Sequence, residues 1–347
     1  MRKYNNTGLM LAAVIMFLAG CAQQSAVIPE TQAPDLVWPS LPEVPRIRFL
    51  YTITGPENIN NGRGWIRRTL DFLKGNPQQQ IGNPYGLGKD DEDRLYVVDT
   101  LYKTVHVFDQ QSSSHYLFPE KPIERFQNPI DIALGTAGRI YVSDSGSGLV
   151  HVFARNGREY INSIGEGLLQ RPTGLAINPI TGELLVADTT NSRLVVFNEE
   201  DLKFKRIVGQ QSSAADGFHY PTNITVSKTG EVYITDSLNF RIQRLGPGLS
   251  FIENFGGAGD SPGHFSRPKG IAIDSDANVY VADALFDNIQ IFDSEGQLLL
   301  AFGSPGNDRG EFWLPNAIFI DNDDRIYVSD SYNKRVQVFQ YLKQDVR

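Results

Sequence analysis

A phrase recurring six times, four short alternating apolar runs around each copy, and a proline ahead of each predict an all-β chain: a six-bladed β-propeller of four-stranded antiparallel blades. The copies are Arg94-Leu-Tyr-Val-Val-Asp99, Arg139-Ile-Tyr-Val-Ser-Asp144, Glu183-Leu-Leu-Val-Ala-Asp188, Glu231-Val-Tyr-Ile-Thr-Asp236, Asn278-Val-Tyr-Val-Ala-Asp283 and Arg325-Ile-Tyr-Val-Ser-Asp330. Nine residues past each aspartate an apolar residue ends a further run, at Phe108, Phe153, Phe197, Leu245, Phe292 and Phe339. The opening prolines are Pro84, Pro129, Pro172, Pro221, Pro268 and Pro315.

Arg2 and Lys3 precede an apolar run from Leu9 to Leu18, and small residues follow it up to Cys21, the pattern of a cleavable signal peptide over residues 1–20. The run is too short to span a bilayer as a helix. Leu18-Ala19-Gly20-Cys21 resembles a bacterial lipobox. The resemblance implies that Cys21 is acylated (diacylglyceryl and palmitate) and anchors the protein in the cell envelope. Ala22, where an aspartate would resemble an inner-membrane retention signal, favours the outer membrane, facing the periplasm. Residues 21–45 then read as the lipidated Cys and a semi-rigid linker, with Pro29, Pro34, Pro39, Pro42 and Pro45 favouring extended polyproline II.

The propeller is expected over residues 46–347. Ile47-Arg-Phe-Leu-Tyr-Thr-Ile53 has no blade of its own, whereas the sixth unit ends at Val336–Tyr341 without an outermost strand, so the N-terminal strand is expected to close the ring. An insertion of about 55–80 precedes Pro84. In it Trp65, Ile66, Thr69, Leu70 and Leu73 fall at helical spacing, largely opposite Arg67, Arg68, Asp71 and Lys74, and predict a short inserted helix stopped by Gly75 and Pro77. Later runs are β-branched, alternating and bounded by turn residues; the fifth unit reads Gly270–Asp274, Asn278–Asp283, Asn288–Phe292 and Leu298–Phe302.

Asp188-Thr-Thr-Asn-Ser-Arg-Leu-Val-Val-Phe197, Asp236-Ser-Leu-Asn-Phe-Arg-Ile and Asp330-Ser-Tyr-Asn-Lys-Arg-Val-Gln-Val-Phe339, with Pro268-Lys-Gly-Ile-Ala-Ile-Asp274, resemble NHL repeats across roughly residues 47–341. The resemblance implies the propeller and is poor for function. Units one, two and five lack the Asp-x-x-Asn-x-Arg pattern, so their turns are expected to differ in shape.

The chain has 347 residues, with 32 Lys+Arg against 40 Asp+Glu and a net charge of −8, so a nucleic-acid partner has no compositional support. One Cys cannot close an intrachain disulfide. No Gly-x-Ser-x-Gly elbow or phosphate-cradling loop occurs. The repeated aspartates are expected to accept hydrogen bonds from the turns that follow them. His106 and His151, with Val195, Gln243, Gln290 and Gln337 in the same place, read as the less buried face of each third strand. Asp90–Asp93 and Asp321–Asp324 lack the glycine and distal Glu of an EF-hand loop and read as hairpin turns.

Two surfaces remain as sites. Innermost strands line the channel of a propeller, and Asp131, Asn223 and Asn316, with Lys269, are the candidates for a polar site at its mouth, taking a small ligand or a divalent cation. Tyr102, Phe240, Phe286, Tyr332 and Trp313 fall in loops on one side and are the candidates for binding a protein or peptide partner. The expected function is a non-catalytic, membrane-anchored binding scaffold. The alternative is a metal-dependent, lyase- or lactonase-like enzyme with its site at the channel mouth.

Overall fold

The computed structural model describes residues 35–58, 79–119, 126–136 and 138–343. The signal segment, Cys21 and the predicted helix lie outside them. Blade 1 runs outward through Pro84–Lys89, Arg94–Asp99, Thr104–Asp109 and Ser114–Phe118. Blades 2 to 5 repeat this meander, starting at Pro129–Leu134, Pro172–Asn178, Pro221–Val226 and Pro268–Ile273. Blade 6 has Pro315–Ile320, Arg325–Asp330 and Arg335–Tyr341 from its own repeat, and its fourth strand is Ile47–Ile53. That strand pairs antiparallel with Arg335–Tyr341, from Ile47 opposite Tyr341 to Ile53 opposite Val336, and Val37–Trp38 adds a fifth strand outside it. Each innermost strand touches the innermost strands of both neighbouring blades, so the ring closes.

Alternation explains the packing. A blade is covered on both faces, so its middle strands are apolar on both, and Leu95, Tyr96, Val97 and Val98 are all buried. Six apolar clusters result, one per seam. Tyr96, Phe118, Ile132 and Phe153 fill the seam of blades 1 and 2, and Ile289, Phe302, Ile318 and Phe339 that of blades 5 and 6. Trp38 caps the latter, with ring centroids 5.6 Å from Phe302 and 5.8 Å from Phe339. A buried tyrosine also needs a partner for its hydroxyl. Tyr96, Tyr280 and Tyr327 donate to Asp90, Asp274 and Asp321, at 2.9, 3.0 and 3.2 Å. The same carboxylates accept the N–H groups of their own hairpins, which is why those turns are acidic.

Each opening proline lies opposite the closing aspartate of the next strand, as Pro84 does Asp99 and Pro315 does Asp330. The loops entering the blades and the hairpins after the aspartates therefore share one face of the ring, the loop face. The hairpins between first and second strands share the other.

The sixfold repeat is built as three pairs of blades. Ser143, Thr235 and Ser329, just before the aspartates of blades 2, 4 and 6, donate their hydroxyls to the carbonyls of Thr173, Lys269 and Tyr85 in the next blade. Blades 1, 3 and 5 have Val98, Ala187 and Ala282 there. In return, Gly86, Gly174 and Gly270 of the odd blades press on the following even blade. A Cβ on Gly86 would stand 2.5 Å from Asp131 Cα, one on Gly174 2.7 Å from Asn223 Cα, and one on Gly270 2.7 Å from Ala317 Cα.

Candidate functional site

The six repeated aspartates are structural. Each accepts backbone N–H groups from the loop entering its blade: Gly82 and Asn83 donate to Asp99, Gln170 and Arg171 to Asp188, Ser266 and Arg267 to Asp283. What completes the shell differs between blades. In blades 3, 4 and 6 the side chains of Asn191 and Arg193, Asn239 and Arg241, and Asn333 and Arg335 donate to the aspartate. Blades 1, 2 and 5 lack that pair and use turn N–H groups instead: Leu101 and Tyr102, Gly146 and Ser147, Leu285 and Phe286.

The third-strand polar residues are not on a less buried face. Gln243 and Gln337 are fully buried and donate to Asp236 and Asp330, each at 3.1 Å, and His106 Nε2 lies 3.2 Å from Asp99 Oδ2. A polar residue in an alternating strand suggests solvent, but here it meets a buried carboxylate. Burial works against ionisation of Asp99, yet the His106 contact and the N–H groups of Gly82 and Tyr102 hold its carboxyl below the usual range.

A cavity of about 390 Å³ runs along the axis, lined by innermost-strand residues of all six blades, Asp131 and Asn223 among them. Asp131 accepts the N–H of Leu175 at 2.9 Å. Burial pushes its carboxyl up to about 7, against the opposing pull of backbone N–H groups. Asn316 does not join them. It stands one residue earlier in its strand than Asp131 and Asn223 do, and strand neighbours point to opposite faces. Ala317 takes the channel register, while Asn316 is buried against Leu314 O and Ser331 Oγ at 3.1 and 2.8 Å. Lys269 likewise directly follows its opening proline and lies outside the cavity lining, at the loop-face end.

These residues do not fit a metal. Of the four candidates only Asp131, a carboxyl that burial keeps protonated up to about 7, and Asn223, an amide, line the cavity, and no group of three His, Cys, Asp or Glu suited to a metal ion occurs among the described residues.

The loop face separates the five aromatic candidates. Trp313 and Tyr332 are 53% and 57% exposed and lie against each other, with centroids 5.5 Å apart and ring planes tilted by 40°. Tyr102, Phe240 and Phe286 are half-buried. Phe240 packs on the core of blades 4 and 5, its backbone left-handed at φ 54°, the conformation that all six blades adopt four residues past the aspartate. Phe240 is therefore a packing residue first. Residues that the sequence reading did not single out for binding stand exposed beside Tyr332: Leu101, Leu238 and Leu285, each two residues past its aspartate, as Tyr332 is. The exposed set covers the consecutive blades 4, 5, 6 and 1, whereas Gly146 and Thr190 stand there in blades 2 and 3. Unanticipated are Arg171 and Arg267, directly ahead of the opening prolines of blades 3 and 5; a basic residue at that register was the available signal.

The family model described as NHL repeat matches residues 126–153, 169–197 and 312–339, three of the six blades. Similar solved structures agree in fold. A virginiamycin B lyase from Staphylococcus aureus is 14% identical with a TM-score of 0.56, over 76% of this chain and 97% of that one. An auxiliary nutrient binding protein from Bacteroides thetaiotaomicron is 14% identical with a TM-score of 0.62, over 76% and 70%. A chain of a nidogen/laminin complex is 17% identical with a TM-score of 0.54, over 64% and 80%.

Proposed function

We propose that this six-bladed propeller, whose chain carries NHL repeats, is a non-catalytic binding scaffold that takes a protein or peptide partner on its loop face. Structures of the same fold are described as lyases, as nutrient binding proteins and as part of a protein complex, so the fold alone does not choose. The surface does. One observation carries the reading: Leu238, Leu285, Tyr332 with Trp313, and Leu101 form an exposed apolar arc over four consecutive blades. The turns below them are completed by backbone and side-chain hydrogen bonds that need no apolar residue at that place. Exposed apolar groups grouped on one face are the mark of a docking surface. Leu285→Ser with Tyr332→Ala should abolish stoichiometric co-purification of a partner from detergent-solubilised envelope fractions without lowering the melting temperature. Unchanged capture overturns the reading, and a fall in melting temperature makes the arc a packing feature.

The lipobox resemblance supports attachment to the outer membrane through Cys21, with the proline-rich linker holding the ring off the surface. Cys21→Ala should move the protein from the membrane fraction to the soluble one; retention in the membrane overturns the anchor. A second reading as a lyase- or lactonase-like enzyme rests on Asp131, a carboxyl able to exchange a proton near neutral pH inside the channel. Asp131→Asn would abolish such an activity.

A further inference from the structure

Three cationic side chains, Lys269 partly buried and Arg171 and Arg267 exposed, stand at the loop-face end of the innermost strands. Lys269 directly follows the proline that opens the blade 5 innermost strand, and Tyr85 holds the same place in blade 1. Arg171 and Arg267 directly precede the prolines that open blades 3 and 5, their backbone N–H groups pinned to Asp188 and Asp283, each at 2.9 Å. Tyr220, ahead of the blade 4 proline, is forced to φ 64°, a costly conformation for an aromatic residue, and its hydroxyl accepts a hydrogen bond from the Arg171 guanidinium. The charges of both arginines reach Lys269 and Tyr85. The carboxylates that accept those backbone N–H groups, Asp188 and Asp283, are fully buried and occupied by the loops. None of the three cations forms an ion pair with a carboxylate among the described residues.

We propose that this mouth binds a small carboxylate- or phosphate-bearing anion, held by Lys269, Arg171 and Arg267 with the phenols of Tyr85 and Tyr220 beside it. Like charges brought together without a counterion destabilise a fold, all the more where water is partly excluded, and an anion removes that penalty. The Lys269 ammonium carries the mark of it: burial first, then the two guanidinium charges, push it down to about 8. Arginine suits either anion through its planar fork of donors.

The test is calorimetric titration of the purified protein with inorganic phosphate and with succinate, in low-chloride buffer. One-to-one saturable binding of either is expected, the tighter probe assigning the acidic group. Lys269→Gln with Arg267→Gln should weaken it at least tenfold, and Lys269→Gln alone should raise the melting temperature of the ligand-free protein. No binding by the parent protein, or equal binding by the double variant, overturns the proposal. The inference rests on the loop face being a binding face, and the two are separable. Loss of anion binding with partner capture intact supports the anion site by itself, and anion binding absent from a parent protein that still captures its partner overturns the site without touching the docking reading.

Discussion

Ser143 Oγ donates to the carbonyl of Thr173 at 2.6 Å, across the seam between blades 2 and 3, and accepts the Asp131 N–H at 3.0 Å. One hydroxyl thus ties a middle strand to the innermost strands of two blades. Ser143→Ala is expected to cost about 1–2 kcal/mol, because it strands a buried carbonyl and a buried N–H. Gly86→Ala on the opposite side of Asp131 should cost more, at least about 2 kcal/mol, since the new methyl group meets backbone that cannot step aside. Urea denaturation of both variants checks the order.

His106 and the glutamines at its register solve the same problem, a donor for a buried aspartate. His106→Gln should therefore be tolerated within about 1 kcal/mol, while His106→Leu should lose roughly 2–3 kcal/mol by leaving Asp99 one donor short. The Asp99 carboxyl is held low in the folded protein, so its contribution is present above the ordinary carboxylate range and is lost as pH falls through the folded value. Asp99→Asn should flatten that acid limb of stability, measured as melting temperature from pH 5 down to pH 2.5.

Asp131 carries the opposite sign. Its folded value is raised to about 7, so the folded state holds a proton that the unfolded chain has released, and stability falls as pH rises from about 4 to 7. Asp131→Asn keeps an acceptor for the Leu175 N–H and removes the charge. It should be near neutral at pH 4 and progressively stabilising up to pH 8, with a slope approaching about 1.4 kcal/mol per pH unit. A difference independent of pH would show that Asp131 stays ionised throughout.

Ring closure depends on a strand remote in sequence. Removing Val37–Ile53 exposes the edge of Arg335–Tyr341 and uncovers Phe339, so it should abolish cooperative unfolding or drive self-association. Trp38→Ala should cost about 2 kcal/mol through lost contact with Phe302 and Phe339. Thermal scans with light scattering separate the two outcomes.

Much of this was legible in the chain. The aspartate-ending phrases and the prolines give blade number, strand order and the closing role of Ile47–Ile53, because pairing rules and apolar alternation leave little choice. The pairing of blades was not, since comparing six units at one period averages out a pattern of period two: Gly86, Asp131, Gly174, Asn223, Gly270, Ala317. Reading Asn316 into that series is an offset of one residue, which in a strand moves a side chain to the other face. The burial of Gln243 and Gln337 was hidden because the aspartate they satisfy comes from a different strand. Of the loop-face residues, Tyr332 and Trp313 were legible, whereas Phe240 resembles them in sequence and differs only in packing against a seam.

The binding face is tested most directly by a photo-crosslinking amino acid placed in living cells at Leu285 and, in a separate strain, at Ile180, which is 60% exposed on the opposite face. A discrete protein adduct at 285 and none at 180 is the predicted result. An adduct at 180 with none at 285 would contradict it.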